Sequence, residues 1–265
     1  MSSLFITHPD CHAPGIVYGF GVRGDEAFFS DAMQFQDSSA CRRRYGRAIM
    51  EAHGPAVQEV LHVTQVHGDT SLLVTDPAAH HQDTQADALV TTLPGVALAV
   101  ATADCLPLVL FSRQKVAVAA VHAGWRGALA GVLTSAIALM HRKLGVEPAD
   151  LHLVMGPCIG PDAYEVDEDL ARRFTDAFGP AARGRTAHGT PSLDLKAANR
   201  RLALAAGIPR EQIHCLDLCT FGRGDLFFSH RRQQGKAGRM LNFVAITDPK
   251  AAALPMDTID LDARE

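Results

Sequence analysis

The chain predicts an α+β fold: a single compact domain over residues 1–265, with central mixed β-sheets covered by helices. Three observations carry this expectation. Apolar runs of strand length follow one another through residues 57–124, helical spacing is confined to separate stretches, and the two do not alternate regularly enough for a βαβ repeat. No internal repeat, low-complexity tract or Pro/Gly/Ser linker divides the sequence.

In chain order, "GIVYGFGVRGDEAFF" (15–29) reads as a strand and a glycine-rich turn. "SACRRRYGRAIMEAHG" (39–54) reads as a helix stopped by Gly54, with Arg42, Arg43 and Arg44 on a solvated face. Strands then dominate: "VQEVLHVTQVHG" (57–68), "TSLLVTD" (70–76), "ADALVTT" (86–92), "VALAVATADC" (96–105), "LPLVLFS" (106–112) and "VAVAAVHAG" (116–124), with "LPG" and "SRQK" as turns. A helix is predicted over 127–144, its apolar face made by Leu129, Val132, Leu133, Ala136, Ile137, Met140 and Leu144, and Gly145 ends it. "LHLVMG" (151–156) is a strand leading into the loop "PCIGPDAYEVD" (157–167). Helical spacing returns in 168–179 and 193–207, and "QIHCLDLC" (212–219) and "LNFVAI" (241–246) close the series as strands.

Composition bounds the function. With 47% hydrophobic and 20% charged residues and a formal net charge of −4, the profile is that of an ordinary soluble protein, without the basic excess of a nucleic-acid binder. The longest apolar stretch, "VALAVATADCLPLVLF", is interrupted by Asp104 and Pro107, so no membrane span is expected. "MSSLFITHPDCHAPG" has neither the charged nor the apolar region of an export signal, and the expected location is the cytoplasm. Six scattered cysteines read as reduced thiols rather than a disulfide scaffold.

Three segments place a metal-type ligand at a strand end beside glycine or a polar turn: "TQVHGD" with His67, "ATADCLP" with Asp104 and Cys105, and "VHAGWRG" with His122. Two imidazoles and a thiolate are donors that zinc prefers, and three protein ligands leave a fourth position open, as in catalytic sites. Their wide spacing alone does not bring them together. Asp104 interrupts an apolar run, where a carboxylate must be hydrogen-bonded, metal-linked or catalytic; the alternative is a cap on the turn before Pro107. In "HAGWRG" the glycines permit close backbone approach and Arg126 offers a fixed fork for phosphate or carboxylate; the alternative is a tight turn anchored by Trp125. Cys105 or Cys158 activated by a histidine would instead suit a cysteine hydrolase.

Together, "TQVHGD", "ADALVTTLPGVALAVATADCLPLVLF", "VAVAAVHAGWRG", "MGPCIGPDAYEV" and "DLFFSHRRQQGKAGRM" resemble the laccase-domain family, also called multicopper polyphenol oxidases and regarded mainly as zinc-dependent purine nucleoside phosphorylases. The family includes peptidoglycan-editing factors. The resemblance implies metal ligands His67, Cys105 and His122, a zinc ion (copper as the alternative), and purine nucleosides with inorganic phosphate as substrates. It leaves Cys158 outside the metal site, makes Gly124 part of the adjoining wall, and sets Arg231 and Arg232 in a matching block. Asp104 and Arg126 are the expected catalytic residues, and Arg23, Gly124, Arg231 and Arg232 the expected substrate or phosphate contacts. Adenosine deamination is a further implied activity, since zinc lowers the pKa of a bound water to about 7. The amino-terminal block departs from the family pattern, with Tyr18 in a histidine place and Val22 in a threonine place, while Arg23 is kept. A copper-dependent polyphenol oxidase remains the principal alternative, although the chain lacks the dense histidine pairs of several copper centres.

Overall fold

In the computed structural model the described residues are 4–24, 38–79 and 84–252. Two mixed sheets dominate them. The first runs in the order β1 (Phe5–Ile6), β2 (Ile16–Gly21), β13 (Met240–Ile246), β6 (Val96–Thr102) and β3 (Glu59–Leu61). The second runs β12 (Ile213–Cys215), β9 (Leu151–Met155), β7 (Leu106–Ser112), β8 (Ala117–Ala123), β5 (Ala88–Thr91) and β4 (Ser71–Val74). β3 pairs parallel with β6, β4 with β5 and β12 with β9, whereas β7 is antiparallel to both its neighbours. A short hairpin, β10 (Arg183–Arg185) with β11 (Pro191–Leu193), lies apart.

The uninterrupted apolar runs of β6, β7 and β8 follow from burial on both faces. Alternate residues divide between cores. On β7, Val109 and Phe111 face the space between the sheets, where they meet Leu98, Val100 and Val244 of the first sheet. Leu106, Leu108 and Leu110 face the other way, toward Val132, Leu133, Ala136, Ile137 and Met140 of α3 (Val132–Leu144). The outer side of the first sheet is covered by α1 (Ser38–His53), whose Tyr45 and Ile49 sit four residues apart and pack on Ala97, Ala99 and Phe243. The result is a helix–sheet–sheet–helix stack, with α4 (Glu168–Phe178) and α5 (Leu195–Ala205) beside α3. Asp167 and Asp194 cap α4 and α5 by accepting from the amides of Leu170 and Ala197.

Three predicted elements differ, among them the strand expected over 212–219, of which only β12, Ile213–Cys215, forms. The helix expected over 127–144 is two helices, α2 (Trp125–Ala130) and α3, because Gly131 takes φ 88° and ends the first before the second starts. The strand expected over 57–68 stops at Leu61, and residues 65–68 form a turn held by side chains. Of the stretch 15–29, residues 16–21 form β2; residues 25–29 lie outside the described residues. Among the described residues no helix is long and apolar enough to cross a membrane.

Candidate metal centre

His122 lies near the end of β8, on the strand face shared with Val118 and Ala120. It is 2% exposed. Its Nδ1 donates to Asp87 Oδ1 at 2.7 Å, which fixes the ring and leaves Nε2 as the nitrogen that can serve a metal. Asp87 directly precedes β5, the neighbour of β8, and its carboxylate also accepts from the amides of Val66 (3.2 Å), His67 (3.0 Å) and Gly68 (2.8 Å). Burial pushes the Asp87 pKa up, but the bonds from His122 and Gly68, the charge of His122 and the bond from Val66 outweigh it and hold the carboxyl below its ordinary value.

One carboxylate therefore sets both histidines. The turn it clamps is tied down again by Gln65, whose Oε1 accepts from the Ala101 amide at 2.7 Å and whose Nε2 donates to the Ala101 carbonyl at 2.9 Å. His67 is held in this turn at φ 61°, a left-handed backbone that costs a non-glycine residue on the order of 1–3 kcal/mol. Its ring meets that of His122 edge-on, with centroids 4.7 Å apart.

Cys105 immediately precedes β7 and follows Asp104, which is itself left-handed at φ 87°. Its Sγ and one ligand nitrogen from each of His67 and His122 lie within 4.8 Å of one another. Burial opposes ionisation of this thiol, yet the charge of His122 and hydrogen bonds with His122 and His67 bring its pKa down to about 6. Burial lowers the His122 pKa, while Cys105 and Asp87 together raise it by more, to about 9. The pair thus favours a thiolate beside an imidazolium, and the proton between them is what a dication would displace. Gly124 leaves the donors their room: a Cβ there would fall 3.0 Å from Cys105 Sγ and 3.0 Å from His67 Cδ2. Thiolate sulfur and imidazole nitrogen around an uncrowded centre fit zinc, and copper as well.

The other expected residues are placed differently. Asp104 is buried and turned away from the donors: Oδ1 accepts from Thr220 Oγ1 (2.6 Å), and Oδ2 from Ser229 Oγ (3.0 Å) and the Arg231 amide (2.7 Å). Its backbone carbonyl accepts from the Ile159 amide at 3.0 Å, so Asp104 joins the loops on either side. Arg231 lies over the Tyr164 ring at 5.4 Å and donates to the Glu165 carbonyl at 3.0 and 3.1 Å. The guanidinium of Arg232 donates to the carbonyls of Thr220 (2.7 Å), Phe221 (2.6 Å) and Phe227 (2.6 Å), which staples it to its own loop. Arg23 is exposed and sits 5.6 Å from the Phe228 ring centroid. Arg126 is exposed on α2, with its guanidinium 4.3 Å from the centre of the Trp125 ring. Cys158 is fully buried, and burial pushes its pKa far up.

Asp87, Gln65 and Tyr164 are the residues that sequence reasoning passed over. Burial and then the charge of Cys105 raise the Tyr164 pKa. The signal for Asp87 was present. It interrupts the apolar run "ADALVTT" as Asp104 interrupts "ATADCLP", and the cost of a buried carboxylate argues equally for both.

Comparison with known proteins adds a family. The sequence profile described as multi-copper polyphenol oxidoreductase laccase matches residues 27–247. A protein of Bacteroides thetaiotaomicron named purine nucleoside phosphorylase is 32% identical over 233 residues, 84% of this chain and 86% of that protein. One of Geobacillus stearothermophilus named purine nucleoside phosphorylase YlmD is 35% identical over 197 residues, 73% of this chain and 69% of its own length. The crystal structure of YlmD from Geobacillus stearothermophilus superposes with a TM-score of 0.77 at 29% identity, covering 92% of this chain and 99% of that one. That of the Bacillus licheniformis hypothetical protein YfiH gives 0.76 at 29% identity, covering 89% and 97%.

Proposed function

This chain belongs to the multi-copper polyphenol oxidoreductase laccase family, and on that premise we propose that it is a zinc-dependent purine nucleoside phosphorylase. The substrates are adenosine, inosine, guanosine or methylthioadenosine, and the products are the free base and ribose 1-phosphate. The observation that carries the reading is the convergence of His67, Cys105 and His122 within 4.8 Å around the space that Gly124 leaves clear, together with the activity named for the relatives.

In the reaction the bond from ribose C1′ to the purine nitrogen breaks, a phosphate oxygen bonds to C1′, and the base departs with the electron pair and takes up a proton. His67, Cys105 and His122 would hold the zinc ion. When bound there, it supplies a Lewis-acid centre for polarising a substrate oxygen. Asp87 keeps His122 and the His67 turn in place. Arg126, exposed two residues from Gly124, is the cation we assign to phosphate. Asp104 acts through the chain, holding Arg231 and its loop against the site by the Arg231 amide, and Arg23 and Arg231 remain candidate contacts at its rim.

Incubating the zinc-loaded protein with these nucleosides, with and without phosphate, and identifying the products tests the reading. Free base and ribose 1-phosphate that form only with phosphate are expected. A deaminated nucleoside would replace phosphorolysis with deamination, oxygen-consuming phenol oxidation by copper-loaded protein would restore the oxidase, and absence of turnover would overturn the proposal.

A further inference from the structure

A second set of soft donors lies away from the centre described above. His152 on β9 and His214 on β12 share one sheet face, since His214 stands beside Val154 in the parallel register and His152 is two residues before it. Their rings are nearly parallel, 11° apart with centroids at 6.1 Å, and His152 also stacks on Phe111 of β7 at 5.0 Å. Cys11, 4% exposed, reaches the pair from the segment before β2. Tyr18 fixes that segment, its hydroxyl donating to the Cys11 carbonyl at 2.6 Å and accepting from the His8 amide at 3.2 Å. One ligand atom each of Cys11, His152 and His214 lies within 4.8 Å of the others.

The two clusters are separate. Across β7, His122 stands opposite Pro107 and His152 opposite Phe111. The step of four residues from Pro107 to Phe111 corresponds to roughly 13 Å along the strand, before the offset across neighbouring strands is added.

We propose that Cys11, His152 and His214 form a second zinc site, which ties the segment leading into the first sheet to the edge of the second. A thiol and two imidazoles make the same soft donor set as the first centre. Zn–S and Zn–N bonds of ~2.3 and ~2.0 Å around a tetrahedral ion set donors on the order of 3.3–3.6 Å apart, a modest contraction of this cluster. Burial, His214 and Arg113 depress the His152 pKa, and burial and His8 depress that of His214 against Asp10, the direction that favours a neutral ring. Cys11 is buried, but His152 and His214 are only half-buried, which leaves the ion a side from which to enter. Bound there, it would link β2 to β12 through side chains and stabilise the fold in proportion to its free concentration.

The test uses the full chain as wild type, Cys105→Ala, and Cys105→Ala combined with either Cys11→Ser or His214→Asn. Each is loaded with zinc, passed through gel filtration and assayed for metal content. A parallel cobalt loading reads thiolate-to-cobalt charge transfer. The expected result is two zinc ions in the wild type, one in Cys105→Ala with its thiolate band intact, none in the Cys11→Ser double variant, and at least a tenfold loss of affinity on adding His214→Asn. A Tm of Cys105→Ala that rises with zinc, and no longer does so after His214→Asn, supports the clamp. Folded Cys105→Ala without zinc overturns the proposal, as does a thiolate band that survives Cys11→Ser. Should Cys11→Ser fail to fold, the His214→Asn arm decides alone, and zinc affinity unchanged by it overturns the proposal. None of these readings depends on phosphorolysis, so they stand or fall apart from the proposed activity.

Discussion

Replacing Asp87 by asparagine keeps the shape of the residue and removes an acceptor. Oδ1 serves His122 and the His67 amide, and Oδ2 serves the amides of Val66 and Gly68. Whichever way the new amide turns, its NH2 opposes two donors. Asp87→Asn is expected to weaken zinc binding about 10- to 100-fold, the usual effect of losing a group that orients a metal-binding histidine, measured by competition with a chromophoric chelator; unchanged affinity would contradict the role given to Asp87. Gly124→Ala acts on the ligands directly. Its backbone, at φ −76° and ψ 174°, suits any residue, but its methyl would sit 3.0 Å from Cys105 Sγ. Turnover is expected to fall on the order of ten- to a hundredfold with little change in Tm, and a variant as active as the parent would show that the wall yields. At this scale the ligands were legible because each stands out in its own segment. Asp87 carried the mark of a carboxylate beside an apolar run, but its role did not show there, because that role lies in four bonds made across the fold.

The helix after His122 was legible in its apolar spacing and in its stop at Gly145, whereas the break at Gly131 was not, because a left-handed glycine inside a helical pattern leaves the spacing of the apolar residues intact. The break matters to Arg126. It confines the arginine to a six-residue helix whose first turn adjoins the metal centre, with Trp125 beneath the guanidinium. Loss of a charge-assisted contact costs roughly 1.5–3 kcal/mol, so Arg126→Ala is expected to keep zinc and lose on the order of ten- to a hundredfold in phosphate-dependent kcat/KM. An unchanged phosphate dependence in a folded, zinc-loaded variant would reduce Arg126 to a packing partner of Trp125 and pass the anion role to Arg231. The shortening of the predicted 57–68 strand has the same origin as the site. Residues 66–68 give their amides to Asp87 instead of to a neighbouring strand.

Across the whole molecule, β6, β7, β8 and β13 each contribute alternate residues to two of the three cores. Removing either sheet would strip one face from the other. We propose on this ground that residues 1–265 fold as one unit, with one thermal transition at which far-ultraviolet circular dichroism and tryptophan fluorescence coincide; separated midpoints would divide the chain into two. The α+β class was legible in the number and length of the apolar runs, but the assignment of strands to sheets was not. Runs buried on both faces carry no alternation, and nothing in "VALAVAT" or "AVAAVHA" says which neighbour each faces. The same stacking brings His67, which follows β3 of the first sheet, to Cys105, just before β7, and His122, on β8, of the second. Phosphate-dependent release of free base from inosine, compared between Cys105→Ala, Cys158→Ala and the parent at equal zinc, tests that convergence most directly. The account predicts that Cys105→Ala loses both its zinc at His67 and His122 and its turnover, while Cys158→Ala keeps both; turnover that persists in Cys105→Ala would contradict it.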